Sequence, residues 1–313
     1  MKVVEVAAAV ILRPDGSFLL GQRAPATFYP GYWEFPGGKV EPGETPRDAL
    51  VRELYEELEI EVLQATPWIV REHVYEHAHV RLNFFRVTQW HGDLKDHVHS
   101  ALSWQRADTL DVAPMLPANA PVLAALRLPD FYAITHAGTV GVAAQLAALG
   151  AELKRGLRLV QLREPSLAPP QREEFYRAAV RLCREHGAQA LVNGDAGLAG
   201  AVGADGLHLP AAQLERLTAR PGFALVAASC HMRAELERAA RLGLDFAVLG
   251  PVRETASHPD QPGMGWETFA EMASGLSLPV YALGGLGHTD MEAALAAGAQ
   301  GITAIRAAWN QGS

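Results

Sequence analysis

The residues with the clearest capacity for chemistry lie in the run Gly38–Ile60, where three glutamates recur at helical spacing. Glu53, Glu56 and Glu57 stand at i, i+3 and i+4, so a helix beginning near Thr45 would carry their carboxylates on one face. Like charges at this spacing repel, and a hard divalent cation such as Mg²⁺ or Mn²⁺ removes the repulsion through oxygen ligands. Such ions bind a few carboxylates together with substrate phosphates, so the run predicts metal-assisted hydrolysis of a diphosphate.

The neighbouring residues predict the elements that position these carboxylates. Thr45 suits a helix N-cap, and the opposite helix face carries the leucines that would anchor it to a core: Leu50, Leu54 and Leu58. Gly37 and Gly38 form a turn in which the backbone can approach closely. Arg52 can pair with a neighbouring carboxylate and hold it in place, which puts it among the catalytic candidates.

The run resembles the Nudix box, written G-x5-E-x7-R-E-U-x-E-E-x-G-U with U aliphatic. The one mismatch is Glu59, which stands where the family has the Gly that usually lets the helix end. The resemblance implies Mg²⁺ or Mn²⁺ as cofactor and Glu53 as general base, itself within the metal site. It also implies Glu56 and Glu57 as metal ligands, with the backbone carbonyl of Gly38 as a further ligand. Family members divide these roles differently, so the choice of base stays open.

Residues outside the run narrow the resemblance to the MutT-type hydrolases of oxidised guanine nucleotides. Arg23 follows the second predicted strand, where this branch has a phosphate-contacting Arg. Asn119 matches the Asn that hydrogen-bonds the guanine base, and an amide suits that edge because it both donates and accepts. Phe35 and Gly37 are expected to line the substrate. Asp96 roughly takes the place of a distal acidic metal ligand.

Each of these assignments has a simpler alternative. Arg23 could be a surface strand residue, Phe35 a core residue and Asn119 a helix N-cap. Six histidines in the same part of the chain offer zinc as another alternative: His73, His77, His79, His91, His97 and His99. Their spacing is irregular and no cysteine accompanies them, so polar strand and loop positions are the favoured interpretation.

The bulk composition describes an ordinary globular protein. Of 313 residues, 49% are hydrophobic and 20% charged, and the net charge of −8 argues against nucleic acid as a partner. Two cysteines, Cys183 and Cys230, make no disulfide framework. The N-terminus has no signal-peptide pattern, and no stretch approaches the ~18 apolar residues of a membrane span. A cytoplasmic protein is expected, and the oligomeric state is not indicated.

The chain is expected to form two domains, residues 1–128 and residues 129–313, with a change of pattern near Leu128-Pro129-Asp130. Strands dominate the first, with helices at the glutamate run and at Pro121–Leu128, which predicts an α+β fold with a mixed sheet. Its predicted strands are Val4–Leu12, Phe18–Gln22, Trp68–Glu76 and Val80–Gln89. In the second domain, eight short apolar strands alternate with Ala-rich helices, which predicts a (β/α)8 TIM barrel, with a doubly wound sheet as the alternative.

The second domain resembles the thiamine phosphate synthase superfamily through QLRE, GADGLHL, LGPV and ALGGL. The chain departs from the synthase pattern at residues that would bind metal and diphosphate. Asp195 lies one position after the place of the first metal-binding carboxylate, and His258 replaces a Lys that contacts pyrophosphate. No carboxylate follows Pro210 where the second is expected; the next residues are Ala211, Ala212 and Gln213. Diphosphate chemistry is therefore not expected in this domain.

The TenI-type branch, which includes thiazole tautomerases that work without metal, is the closer match. It has an acid/base His where this chain has His231. The carboxyl ends of the barrel strands form the active-site face, so Arg163, Gly284 and Gly285 are expected to hold a thiazole or thiamine phosphate. His231 could instead cap the next helix, and the barrel could bind a ligand without catalysis.

The sequence thus predicts hydrolysis of 8-oxo-dGTP and related nucleoside triphosphates to monophosphate and pyrophosphate, which sanitises the nucleotide pool. One alternative is hydrolysis of damaged thiamine diphosphate analogues, coupled to thiamine metabolism. Another treats the barrel as a ligand-sensing module. Neither nucleic acid nor a membrane is an expected partner.

Overall fold

The computed structural model describes residues 2–76, 78–254 and 262–309, so His77 and His258 lie outside it. The contacts of the chain divide it into two units. One runs to Arg127 and includes Ser274–Ser277; the other begins at Leu128 and holds the remaining described residues. Each unit has its own sheets and its own hydrophobic core.

The first unit is an α+β fold built on two small sheets. Its strands are β1 (Val3–Ile11), β2 (Phe18–Gln22), β3 (Trp33–Glu34), β4 (Gly37–Lys39), β5 (Glu61–Val74), β6 (His79–His91) and β7 (Ala101–Gln105). The sheets have the orders β4-β1-β6-β5 and β3-β2-β7. Only the β1–β6 pair among them is parallel, which makes the larger sheet mixed, as predicted. The helices are α1 (Pro46–Leu58) and α2 (Ala120–Leu126), the latter preceded by a 3₁₀ turn over Pro117–Asn119.

The differences from the predicted strands have physical causes. β3, β4 and β7 were missed because they are short, and β4 is mostly glycine, which weakens a strand when it stands alone. β5 begins at Glu61 rather than Trp68. Its pairing with β6 shifts register around Gln64 and again between Pro67 and Ile69, so the side chains there do not alternate regularly.

Helix α1 forms as the sequence predicts. The Thr45 hydroxyl accepts a hydrogen bond from the Asp48 backbone N–H at 3.2 Å, which satisfies one of the unpaired donors at the helix start. Leu50, Leu54 and Leu58 are completely buried against the larger sheet. The carboxylate face of the helix is therefore fixed in rotation by its leucine face.

Glu59 ends α1 in the backbone conformation that glycine normally supplies. Its φ is 57° and its ψ 32°, and its N–H donates to the Tyr55 carbonyl at 3.0 Å. A non-glycine residue held in this region costs on the order of 1 kcal/mol. Its carboxylate pairs with the Lys95 ammonium at 2.6 Å. The missing glycine therefore changes the backbone strain and leaves the end of the helix in place.

The second unit is a closed barrel of eight parallel strands. They are β8 (Phe131–Ile134), β9 (Leu159–Leu162), β10 (Gln189–Asn193), β11 (Gly206–Leu209), β12 (Leu225–Cys230), β13 (Phe246–Leu249), β14 (Val280–Leu283) and β15 (Ile302–Ala304). The last strand pairs with the first, with Ile302 opposite Phe131, which closes the sheet. The TIM-barrel prediction is confirmed, and the doubly wound alternative is wrong because an open sheet would leave two edge strands.

Helices follow the barrel strands: α3 (Ala137–Val140), α4 (Val142–Arg155), α5 (Pro169–Glu185), α6 (Ala196–Val202), α7 (Ala211–Arg216), α8 (Arg233–Arg241), α9 (Gly265–Ala273) and α10 (Met291–Ala296). The barrel interior is packed with aromatic rings, because Tyr132, Phe246 and Tyr281 are all fully buried there. Within the described ranges, no helix is long and apolar enough to cross a bilayer.

Candidate active site

Glu57 of α1 lies near enough to Glu53, Glu34 and Asp96 for the charges of these three carboxylates to act on it. Burial, together with the charges of Glu53, Glu34 and Asp96, raises the pKa of Glu57 to about 8 against the opposing hydrogen bond from Gly37. The Gly37 N–H donates to Glu57 Oε2 at 3.0 Å. The site therefore brings carboxyl oxygens near one another, and oxygen atoms are the donors that hard divalent cations prefer.

Arg52 ties the predicted carboxylates to the loop before α1. Its Nε donates to Glu44 at 2.8 Å and its Nη1 to Glu53 Oε1 at 2.9 Å. The hydrogen bonds from Arg52 hold the pKa of Glu44 at about 2. Glu56 also faces Arg52, at 3.3 Å, but its side chain is 58% exposed. The structure thus brings Glu53 and Glu57 into the crowded set and leaves Glu56 on its outer side.

Two glycines let the backbone of β4 approach these carboxylates. A side chain on Gly38 would begin 2.3 Å from the carboxyl carbon of Glu53. Gly37 has φ +137°, and a Cβ there would lie 2.2 Å from the Ala7 carbonyl oxygen. Neither position can carry another residue without movement of its neighbours, so the close approach predicted from the turn is present.

The donor chemistry of this set fits a hard divalent cation. Oxygen atoms of Glu53, Glu57 and Asp96, together with the Gly38 backbone, are the groups available to hold it. Among the described residues, no three His, Cys, Asp or Glu side chains already stand in a coordinating arrangement. The same holds for the histidines considered as zinc ligands, of which His77 lies outside the described ranges.

Asp96 is held in the loop that precedes β7. Its Oδ1 accepts hydrogen bonds from the backbone N–H groups of Val98 at 3.3 Å and His99 at 2.9 Å. The His99 ring atom Nδ1 lies 3.2 Å from the same oxygen. Sequence reasoning placed Asp96 only approximately, and these contacts define where its carboxylate lies.

Arg23 pairs with a carboxylate that sequence reasoning missed. Its Nη1 lies 2.6 Å from both oxygens of Glu34, and its Nε donates to the Phe28 carbonyl at 2.6 Å. Burial raises the pKa of Glu34 in spite of the opposing charge of Arg23. The sequence offered one indication of a special role for Glu34, namely its place between two large aromatic residues, Trp33 and Phe35. Both aromatic side chains are buried in the structure. The phosphate contact of Arg23 stays a prediction.

The other two substrate candidates have different surroundings. Phe35 is 4% exposed and packs against the rings of Phe18 and Phe84 at 5.8 and 5.7 Å, so the hydrophobic core accounts for it. Asn119 is 2% exposed and makes no capping hydrogen bond, and its Nδ2 has no partner in the part of the chain that the structure describes. Buried amides are normally hydrogen-bonded, so this N–H group marks a position where a ligand could supply an acceptor atom.

In the barrel, His231 follows β12. Its Nδ1 lies 2.9 Å from the Gly250 carbonyl oxygen and donates to it, which leaves Nε2 as an acceptor. The cap of α8 is supplied by Glu235, whose Oε2 accepts from the backbone N–H groups of His231 and Met232. The ring is therefore not a helix cap.

The predicted phosphate residues lie at the same end of the barrel. Gly284 and Gly285 have φ of +118° and +63°, and side chains there would meet Pro251 at 2.7 Å and the Glu254 carbonyl at 2.9 Å. These glycines are thus needed for close packing of the loop after β13. Arg163 is exposed at the end of β9, and its backbone N–H donates to the Thr135 hydroxyl at 3.1 Å.

Asp195 is the residue of the barrel that comes closest to the metal-binding sequence pattern of the synthases, but its carboxylate has a structural role. Asp195 Oδ1 accepts from the Leu198 N–H at 2.8 Å and caps α6. Gln213 donates to the Gly194 carbonyl at 2.8 Å. These contacts agree with the departures from the synthase pattern and offer no pair of carboxylates for a metal.

A buried hydrogen-bond row runs through the barrel to its mouth. Gln161 Nε2 donates to the Tyr132 hydroxyl at 3.2 Å, so the phenol proton is directed to His208 Nδ1 at 3.2 Å. The other ring nitrogen, Nε2, then carries the proton and donates to Ser229 Oγ at 2.8 Å. The row sets the direction in which the Ser229 hydroxyl proton points, namely away from His208.

We predict that His208 stays neutral, with its proton on Nε2, from pH 8 down to pH ~5. Burial, and then the charge of Arg163, lower its pKa from 6.5 to about 3. Because only the unfolded chain takes up this proton below 6.5, the group lowers the stability of the fold as pH falls toward 3. Nitrogen-15 NMR of the ring tests the tautomer; Tyr132→Phe, which removes the donor to Nδ1, is the matched control. A His208 signal that titrates near pH 6.5 would contradict the assignment.

The fold and the site define a hydrolase domain joined to a TIM barrel. Comparison with family profiles agrees: residues 1–126 match the family described as NUDIX domain, and residues 131–308 match thiamine monophosphate synthase. The chain belongs to the Nudix family through its first unit and to the thiamine monophosphate synthase family through its barrel.

Individual relatives match one unit or the other. A CTP pyrophosphohydrolase of Escherichia coli (strain K12) is 44% identical over 131 residues, covering 40% of this chain and 92% of the relative. An 8-oxo-dGTP diphosphatase of Proteus vulgaris is 41% identical over 95 residues, covering 30% and 85%. A thiamine-phosphate synthase of Thioalkalivibrio sulfidiphilus (strain HL-EbGR7) is 34% identical over 185 residues, covering 57% and 87%.

Proposed function

We propose that the first unit hydrolyses nucleoside triphosphates to the monophosphate and pyrophosphate, with 8-oxo-dGTP as its preferred substrate. The crowding of Glu34, Glu53 and Asp96 around Glu57 carries this proposal, because a cation and a phosphate chain are what such a set would bind. The two Nudix relatives support it, since both are named for nucleotide hydrolysis.

Within this proposal, Glu57, Glu53 and the Gly38 carbonyl hold Mg²⁺ or Mn²⁺, with Glu56 and Asp96 as further oxygen ligands. A cation held there would supply neutralisation of the charge on the phosphate oxygens. Glu53 acts as the general base. Arg52 occupies its Oε1, so Oε2 is the atom that accepts the proton of the attacking water.

The proposed preference for a guanine nucleobase rests on Asn119. Its buried Nδ2 has no hydrogen-bond partner among the described residues, and a guanine O6 is an acceptor of the kind it lacks. The carbonyl of an oxidised purine in contact with the amide would satisfy it. The relative named for CTP makes cytosine the competing base, because cytosine also presents a ring carbonyl.

A substrate panel on the full chain tests the proposal: 8-oxo-dGTP, dGTP, CTP and an oxidised thiamine diphosphate, each with Mg²⁺ and with Mn²⁺. We expect the highest kcat/KM for 8-oxo-dGTP, with pyrophosphate as product. In Glu53→Gln, kcat should fall by about 10²–10⁴-fold because the general base is lost.

Glu56→Gln is the comparison variant: it neutralises another carboxylate of the same helix, and it should cost less turnover because Glu56 is a proposed ligand and not the proposed base. Unchanged turnover in Glu53→Gln would overturn the assignment of the base. A preference for the oxidised thiamine diphosphate would favour the alternative in which the hydrolase serves thiamine metabolism.

For the barrel, the hydrogen bond between His231 and Gly250 supports a second proposal. We infer that a thiazole phosphate binds at the mouth, with Arg163 and the Gly284-Gly285 loop toward its phosphate, and that His231 Nε2 moves a proton as in a tautomerase.

Calorimetry and turnover with thiazole phosphate carboxylate test this inference. His231→Asn can keep the hydrogen bond to Gly250 but lacks Nε2, so it should bind the ligand and fail to turn it over. Binding without turnover by the unmodified chain would favour the ligand-sensing alternative instead.

A further inference from the structure

His99 is a buried histidine beside the carboxylate set that the proposed mechanism does not use. Only 5% of its side chain is exposed. It lies in the loop before β7, and its ring rests against the backbone of Gly21 in β2: a Cβ on that glycine would lie 2.2 Å from His99 Cδ2 and 2.5 Å from Nε2. Gly21 is paired with Glu34 and Leu102 like an ordinary strand residue, and its φ is not positive, so its backbone conformation does not require glycine. Its missing side chain therefore serves to make room for the ring.

The polar edge of the ring faces a carboxylate of the candidate metal site. Nδ1 lies 3.2 Å from Asp96 Oδ1, the same oxygen that accepts the two backbone N–H bonds of the loop. Glu34 of β3 is paired with Gly21, the residue against which the ring packs. Burial raises the pKa of Glu34, and the charge and hydrogen bond of Arg23 oppose the rise. His99 thus contacts Asp96 directly and packs on the strand residue that is paired with Glu34.

We propose that His99 is a positioning residue that holds Asp96 against the carboxylate set, and that Gly21 provides the space in which it does so. This inference rests on the proposed function, since it assumes that Asp96 belongs to a divalent cation site. The physical reason is general: groups that hydrogen-bond a metal ligand fix its orientation, and their loss typically weakens metal binding about 10–100-fold.

The test is Mn²⁺ binding to the full chain without substrate, followed by the electron paramagnetic resonance of the free ion. Asn and Leu at position 99 separate the proposed role from simple packing. His99→Asn keeps an N–H near the place of Nδ1, whereas His99→Leu fills the cavity and donates nothing. We expect His99→Leu to weaken Mn²⁺ binding about 10–100-fold and His99→Asn to stay near the unmodified chain. A packing residue would show the opposite order.

Two further variants make the test specific. Gly21→Ala, whose Cβ would meet the Cδ2–Nε2 edge of the ring and push Nδ1 out of its place beside Asp96, should weaken Mn²⁺ binding like His99→Leu. In an Asp96→Asn background, His99→Leu should add no further loss, because the two residues act through one interaction. Circular dichroism confirms that each variant compared is folded.

The outcomes distinguish a failure of this inference from a failure of the proposed function on which it rests. If the unmodified chain takes up no Mn²⁺, the metal site of the proposed function is wrong. If the unmodified chain binds Mn²⁺ and His99→Leu binds it equally well, the metal site stands and the role of His99 is overturned.

Discussion

The repulsion among carboxylates around Glu57 is the constraint on which the first unit is organised. Its neighbours come from separate elements: Glu53 from α1, Glu34 from β3 and Asp96 from the loop before β7. No single element could bring so much like charge together, and the fold opposes it with positive groups at the rim, Arg52 on one side and Arg23 on the other. Burial of charge without full compensation is costly, so the arrangement indicates a site that is completed by a cation.

Glycine is the means by which the backbone accommodates this set. Gly38 brings β4 against Glu53, and Gly21 makes room for the ring of His99 beside Asp96. Each glycine weakens its strand, and neighbouring strands compensate: β4 pairs with β1, and β2 pairs with both β3 and β7. Local stability is thus given up at the points where the carboxylates need close approach.

Much of this could be predicted from sequence where the information is local. The cap at Thr45, the leucine face and the carboxylate face of α1 all follow from helical spacing, and the strands of the barrel follow from repetition. Glu34 and His99 were missed because their roles depend on strand pairing far along the chain, and β3 is too short to produce a pattern. For Phe35 the sequence motif suggested a contact with substrate, whereas the structure places its side chain in the hydrophobic core.

One row of buried polar groups in the barrel follows a different principle, because its members satisfy one another. The row from Gln161 through Tyr132 and His208 keeps a histidine neutral within an aromatic core and fixes a hydroxyl at the mouth. Such fully connected polar rows specify a unique core, whereas a half-satisfied row would destabilise it. The first unit thus holds carboxylates that interact unfavourably with one another, and the barrel holds a buried row of neutral groups joined by hydrogen bonds.

The central claim, that the crowded carboxylates form a divalent cation site, is tested most directly by anomalous X-ray diffraction from crystals of the full chain grown with Mn²⁺. The account predicts a manganese peak within about 2–2.5 Å of oxygen atoms of Glu57 and of the Gly38 carbonyl. A map with no peak at this position, or with manganese bound only at the barrel, would contradict it.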